Sequence, residues 1–369
     1  MADLPATTGA LVIGCGIVGA CTAYHLARSG VDVTVLERDT IGSGSTSKAA
    51  GGFRAQFSDE LNIRMAVENI RRLVNFDAEF DTDIGMKQWG YLFLLREGEV
   101  EPFRNAVDLQ RSHGVPSELI DVGTAREMVP GIRTDDLVAA TFCPLDGTCT
   151  PEAVAYGYAR AASRSGARIV QGCEAIGVDT AGGRIKGVRT TRGYISTGEV
   201  VLAAGVWSPR LAAPVGLDLP VRPVKRHIWL TRGPDPFPNR IPMVIDFATG
   251  FYFHREGQGL AMGGREETLD DLAPAVLNRA PSLLEAEITH EWWGYYAVSP
   301  DHNAIIGTAD GVGRLHYATG FSGHGFQQGP VVGEHLAHLV MGTPPTFDLS
   351  PFDVRRFETG NVVPETAVI

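Results

Sequence analysis

Residues 10–37, ALVIGCGIVGACTAYHLARSGVDVTVLE, decide how the chain folds. Four apolar residues lead into Gly14, a helix-compatible stretch ends at Gly30, and a β-branched alternating run ends at Glu37. The segment therefore reads as strand, helix, strand. Gly14, Gly16 and Gly19 form GxGxxG at the strand-to-helix turn. The first glycine permits the tight turn, the second lets backbone approach a pyrophosphate, and the third lets the helix pack on the sheet. Together with Ile17 and Val18 they open a helix whose free N–H groups stabilise phosphate charge. Glu37 stands 18 residues past Gly19, where a carboxylate accepts hydrogen bonds from ribose hydroxyls and repels a 2′-phosphate. A dinucleotide site follows, but this unit alone does not separate NAD from FAD.

The next stretch, residues 38–57, reads RDTIGSGSTSKAAGGFRAQF and carries hydroxyls and small residues without a hydrophobic period. Arg38, Ser45, Thr46, Ser47, Lys48, Ala50 and Gly51 suit backbone and hydroxyl contacts along an extended ligand such as the ribityl chain of FAD. An ordinary flexible loop is the competing reading. A second Gly-rich stretch, ATGFSGHGFQQGP, occupies residues 318–330 and precedes a helix expected to open at Pro330 and close at Gly342. Helices are also expected over 61–80, 99–113 and 151–166, and strands over 88–95, 168–180, 184–191, 195–205, 224–232, 250–257 and 259–264.

At 369 residues the chain is long enough for two cores. Its 32 basic and 43 acidic residues give a net charge of −11, which opposes nucleic acid and anionic membrane as partners. Five cysteines without a CxxC pair indicate neither a zinc ribbon nor a disulfide framework, and no His or Cys spacing suggests a metal. Without a signal peptide or a membrane-length apolar run, a cytoplasmic protein is expected.

GCGIVG with Glu37, GSGSTSKAAGGFRAQF, VVLAAGVWS, WWGYYAVSPDHNAIIG and ATGFSGHGFQQGP together resemble the FAD-dependent oxidoreductases of the D-amino-acid oxidase and sarcosine oxidase superfamily. The likeness is strongest to β-subunits of heteromeric sarcosine oxidases and proline dehydrogenases and to dimethylglycine-dehydrogenase-like proteins. It implies an α/β fold of the GR2 type. A discontinuous Rossmann-like FAD-binding domain would come from residues 1–80, 145–215 and 300–369, and a mixed-sheet α+β substrate domain from 81–144 and 216–299. It adds Ala175, Ala204, Gly205, Trp207, Gly320, Gly323, His324, Gly325, Phe326 and Gln327 to the cofactor-binding set. In this family the C-terminal Gly-rich turn meets the isoalloxazine ring, and its N–H groups would stabilise the reduced flavin's negative charge. Gly294 falls where monomeric sarcosine oxidases have the cysteine that bonds the flavin, so the resemblance implies non-covalent FAD.

The resemblance further implies oxidation of a C–N bond beside a carboxylate, with a small-molecule amine as substrate and dioxygen or an electron-accepting partner as acceptor. Arg54 matches the arginine that clamps the substrate carboxylate in monomeric sarcosine oxidases, with a surface arginine as the alternative reading. Gln327 stands where those enzymes carry a second carboxylate-binding lysine. Ala261 stands where they carry the lysine that promotes reaction with dioxygen, which favours a dehydrogenase unless Lys48 or Lys225 substitutes. Tyr252 and Tyr296 match cavity positions, and His227 and Arg265 match polar positions facing the flavin, although core packing competes for each. Trp292 and Trp293 are expected to pack, and His254, His290 and His302 to lie at the surface or in loops. Two rival classes remain: an NAD-dependent Rossmann dehydrogenase, and a flavoprotein subunit or assembly factor that needs a partner chain.

Overall fold

The structure, a computed structural model, describes residues 3–233 and 235–367. Strands Ala10–Ile13 and Val33–Leu36 pair in parallel and are joined by helix Ile17–Arg28. They lie in a six-stranded sheet whose order is Ile305–Thr308, Leu315–Thr319, Val200–Leu202, Ala10–Ile13, Val33–Leu36 and Arg168–Val170. All neighbours are parallel except the first pair. The central strands are buried on both faces, which is why they read as unbroken apolar runs.

The second large sheet has eight strands in the order Glu287–Val298, Arg222–Arg232, Gly259–Gly263, Tyr252–Glu256, Met243–Asp246, Tyr91–Leu95, Ala139–Cys143 and Glu118–Ile120. It is mixed, because Met243–Asp246 runs parallel to Tyr91–Leu95 while the other neighbours are antiparallel. A Rossmann-like α/β unit and a mixed sheet with helices are thus both present. Register then sorts the side chains of the mixed sheet. The pairs Arg226↔Gly294, Ile228↔Gly263, Tyr252↔Gly263 and Phe93↔Ile245 place these residues on one face. The intervening residues, among them Trp229, Phe253, Val244 and Leu92, form a separate core on the other face.

The C-terminal helix departs from expectation. It spans Gly325–Met341, so Pro330 lies inside it rather than at its start, and Gly342 closes it in the left-handed conformation at φ 65°. Proline removes an N–H and crowds the preceding turn. Neighbouring side chains repair the turn: Val331 N–H donates to Asn69 Oδ1 at 2.9 Å, and Pro330 O accepts from Arg72 Nη1 at 3.1 Å. This helix crosses Ile17–Arg28 at glycines, since a Cβ at Gly329 would stand 2.7 Å from Ile17 and one at Gly333 would stand 2.6 Å from Cys21. The expected helix over 61–80 breaks at Asn75 into Glu60–Val74 and Phe76–Phe80.

His254 is buried rather than at the surface, and Trp293 is 44% exposed rather than packed. All five cysteines are free and buried. Among the described residues, no helix is long and apolar enough to cross a membrane.

Candidate active site

One large cleft, about 1450 Å³ with its open mouth included, is lined from both sheets. At one end Gly14 adopts φ 100°, and a Cβ there would lie 2.5 Å from Ala203 O. A Cβ at Gly19 would lie 1.9 Å from Gly14 O, so this glycine lets the helix press against the turn. The Glu37 carboxylate is held by two backbone donors, Cys15 N–H on Oε2 and Asp39 N–H on Oε1, each at 2.9 Å. Thr46 Oγ1 accepts from Ile17 N–H at 3.1 Å, which joins the hydroxyl-rich loop to the helix N-terminus. Arg38 lies 4.4 Å over the Trp207 ring, and both line the cleft with Glu37.

Toward the other end the second Gly-rich stretch bends through Gly320 at φ 69°, Ser322 at φ 51° and Gly323 at φ 98°. A Cβ on Gly323 would lie 2.5 Å from the Tyr296 ring, so only glycine lets the loop lie there. Gly323, Gly325 and Phe326 line the cleft at the start of the C-terminal helix. The glycine crossing of the two helices thus brings two helix N-termini into one cleft. Their positive ends suit a ligand with anionic groups at separated points. The residues therefore fit a dinucleotide that carries a second electron-rich group some distance from its phosphates.

A family model described as "DAO: FAD dependent oxidoreductase" matches residues 10–339. The chain belongs to this FAD-dependent oxidoreductase family. It is 29% identical to the mitochondrial sarcosine dehydrogenase of Homo sapiens over 96% of the chain and 42% of that protein. It therefore spans less than half the length of that relative. It is 28% identical to sarcosine oxidase subunit beta of Rhizobium meliloti over 96% of the chain and 89% of that protein. Among solved structures, L-proline dehydrogenase from P. horikoshii superposes with a TM-score of 0.90 at 34% identity, covering 98% of this chain and all of that one.

The cleft of this FAD-dependent oxidoreductase gathers most of the cofactor positions expected from sequence. Gly14, Gly16, Ile17, Val18, Glu37, Arg38, Ser45, Thr46, Lys48 and Ala50 line it from the N-terminal segment. Ala175, Ala204, Gly205, Trp207, Gly323, Gly325 and Phe326 line it from later segments. Gly19, Ser47, Gly51, Gly320, His324 and Gln327 stand outside the lining. Gly19, Gly51 and Gly320 act through backbone shape; at Gly51, with φ 78°, a Cβ would lie 2.1 Å from Cys149 O.

Of the expected catalytic residues, Lys48, Tyr252 and Tyr296 line the cleft, whereas Arg54, His227, Arg265 and Gln327 do not. His227 lies on the opposite face of its strand, stacked on Trp229 at 5.5 Å, with Nδ1 2.7 Å from Glu291. Arg265 is exposed beyond the strand end. Lys225 shares the face of His227 and lies 4.7 Å over the Trp293 ring, so among the described residues only Lys48 offers the cleft a lysine. Ala261 is buried opposite Leu230 and His254. Sequence reasoning missed Arg226, the residue beside His227, which does line the cleft. Strand alternation was the signal that could have found it, but only with the register known.

Arg54 is buried and already engaged. Nη1 donates to Gln56 O, and Nη2 donates to Ala367 O and faces His324 Nε2 at 3.0 Å. A guanidinium only donates, so His324 accepts through Nε2 and carries its proton on Nδ1. Burial, with Arg54 beside it, holds the imidazole well below its usual pKa and keeps it neutral. Gln327 Oε1 accepts from Arg54 N–H at 2.7 Å, so both residues of the second loop position Arg54. Next to it, Asp146 accepts from Ala55 N–H at 2.7 Å and Gln56 Nε2 at 2.9 Å, and burial pushes its carboxyl up to about 7.

Proposed function

We propose that this chain oxidises the C–N bond of a small amino acid or N-methyl amino acid to an imine that water then hydrolyses. The observation that carries this reading is the union, in one cleft, of a dinucleotide turn and a chamber formed by Tyr252, Tyr296, Phe321 and a guanidinium. FAD, when bound, supplies the hydride acceptor. Gly14, Gly16 and the N-terminus of helix Ile17–Arg28 would hold its pyrophosphate, and Glu37 its ribose. We read residues 1–80, 145–215 and 300–369 as the FAD-binding unit and the remainder as the substrate unit, in a cytoplasmic protein.

Burial raises the hydroxyl pKa of Tyr252 and Tyr296. Both therefore stay protonated and available as donors to a substrate carboxylate. A cation in the chamber disfavours an ammonium group and so favours the neutral amine, whose lone pair supports hydride loss without a strong base. We further propose that the flavin is held without a covalent bond. A Cβ at Gly294 would stand 2.5 Å from Lys48 Cβ, leaving no room for a cysteine at that place. Acid precipitation should then release the yellow colour, and colour retained in the pellet would refute it.

The test of the activity is an anaerobic titration of the yellow protein with sarcosine, dimethylglycine, L- and D-proline and simple D-amino acids. Bleaching by one of them supports the reading and names the substrate class. Air then separates oxidase from dehydrogenase: alanine at position 261 favours slow reoxidation, whereas Lys48, which lines the cleft, is the cation that would favour fast reoxidation. A partner-dependent subunit is the second reading. It is favoured by the 12-residue strand Glu287–Val298, which forms an outer edge of its sheet and leaves Trp293 exposed. A flavin that no amine bleaches until a second chain is added would support that reading.

A further inference from the structure

The geometry assigns the substrate's carboxylate to Arg226 rather than to Arg54. The assignment rests on the amine-oxidising reading above and sharpens it. Arg226 lines the cleft together with Ile228, Tyr252, Gly294 and Tyr296. Its guanidinium carbon lies 5.5 Å from the Tyr296 ring centroid. Only Nη1 is engaged, by two neutral carbonyls, Lys225 O at 3.2 Å and Arg265 O at 3.3 Å. Nε is shielded from water and has no partner, and Nη2 has no protein acceptor among the described residues. Nε and Nη2 form one edge of the planar guanidinium, and that edge matches the two oxygens of a carboxylate.

No described acid forms an ion pair with Arg226. The acidic residues of the cleft wall, Glu37, Asp39 and Glu174, belong to the nucleotide end, where backbone N–H groups hold Glu37. A guanidinium with an idle fork and no counter-ion is an incomplete arrangement, since a shielded donor without an acceptor is costly. A carboxylate from the substrate completes it. Arg54 has no such idle edge facing the cleft, because its Nη1 and Nη2 donate to Gln56 O and Ala367 O and it stands outside the lining. It is a positioning residue that fastens segment 363–367 against the second Gly-rich loop.

The experiment measures binding of pyrrole-2-carboxylate, which cannot be oxidised as an amine, to the FAD-loaded protein by calorimetry and by the flavin absorbance change. Arg226→Met should weaken binding by roughly 30-fold or more, and Arg226→Lys should recover part of the loss. For whichever amino acid of the panel bleaches the flavin, Arg226→Met should also erase its advantage over the same amine without the carboxylate; a merely structural role would leave that preference intact. Arg54→Lys should bind the probe as wild type does. The assignment is overturned if Arg226→Met binds as tightly as wild type, if Arg54→Lys alone loses binding, or if wild type binds no carboxylate probe. Probe binding that depends on Arg226, in a protein whose flavin no amine reduces, would keep the anchor and reject the amine-oxidising reading.

Discussion

The two ends of the cleft are built in opposite ways. The proposed nucleotide end draws chiefly on the segment from Ile13 to Ala50, joined by residues near Glu174 and Ala204, and works through backbone: Gly14, Gly16 and Gly19 set distances, and main-chain N–H groups hold Glu37. The substrate end is assembled from strands near residues 226, 252 and 296 and the loop near 323, and it works through side chains. Arg226 and Arg54 make the contrast concrete. Both are arginines near Tyr296, yet one lines the cleft with Nε unpartnered and the other is spent on the protein's own carbonyls. An arginine's neighbours, not its place in a motif, therefore decide whether it can bind a ligand.

The largest effect is expected at the nucleotide end. Gly19→Ala would put a methyl 1.9 Å from a backbone oxygen that cannot move aside, and it should cost at least about 3 kcal/mol and strip FAD from the purified protein. Normal flavin content in that variant would break the claim that backbone packing builds this end. Next, Arg54→Met orphans two carbonyls and should lower stability by about 2–3 kcal/mol in a denaturant titration. Arg226→Met should change it by no more than about 0.5 kcal/mol. Equal losses in the two variants would erase the distinction between a structural and a ligand-facing arginine.

Removing residues 363–369 should cost about 1 kcal/mol, because Arg54 and Ser58 lose partners in that segment. It should also restore part of the carboxylate affinity of Arg226→Met, by releasing the one Nη2 hydrogen of Arg54 that Ala367 O holds, the other staying on His324. No recovery in the double variant would show that Arg54 cannot reach the chamber even when uncovered.

The smallest effect concerns pH. Asp59 lies against Glu365 of the same segment, and burial, with the Glu365 charge adding, pushes its carboxyl up to about 6. A carboxyl raised in the folded state contributes stability that is full below its ordinary value of 3.8 and lost as pH rises through about 6. Protease cleavage in the C-terminal segment should therefore quicken a few-fold on going from pH about 5 to about 7. Asp59→Asn should flatten that dependence, and an unchanged profile would remove Asp59 from the account.

The dinucleotide end and the family were legible in the amino-acid sequence. GxGxxG, Glu37 and the hydroxyl-rich loop could be read because their geometry is local, set by turns, a helix start and a strand end only a few residues apart. Tyr252 and Tyr296, expected at cavity positions from the resemblance, line the cleft. Long-range packing settled the rest. Which of Arg226 and His227 faces the cleft depends on strand register, and a one-residue difference sends the side chain to the opposite face. That Pro330 lies inside a helix depends on Asn69 and Arg72, more than 250 residues away in the chain. That Arg54 is covered depends on Ala367, 313 positions distant. Local patterns carry local geometry, whereas the availability of a charged side chain is set by every group that folds against it.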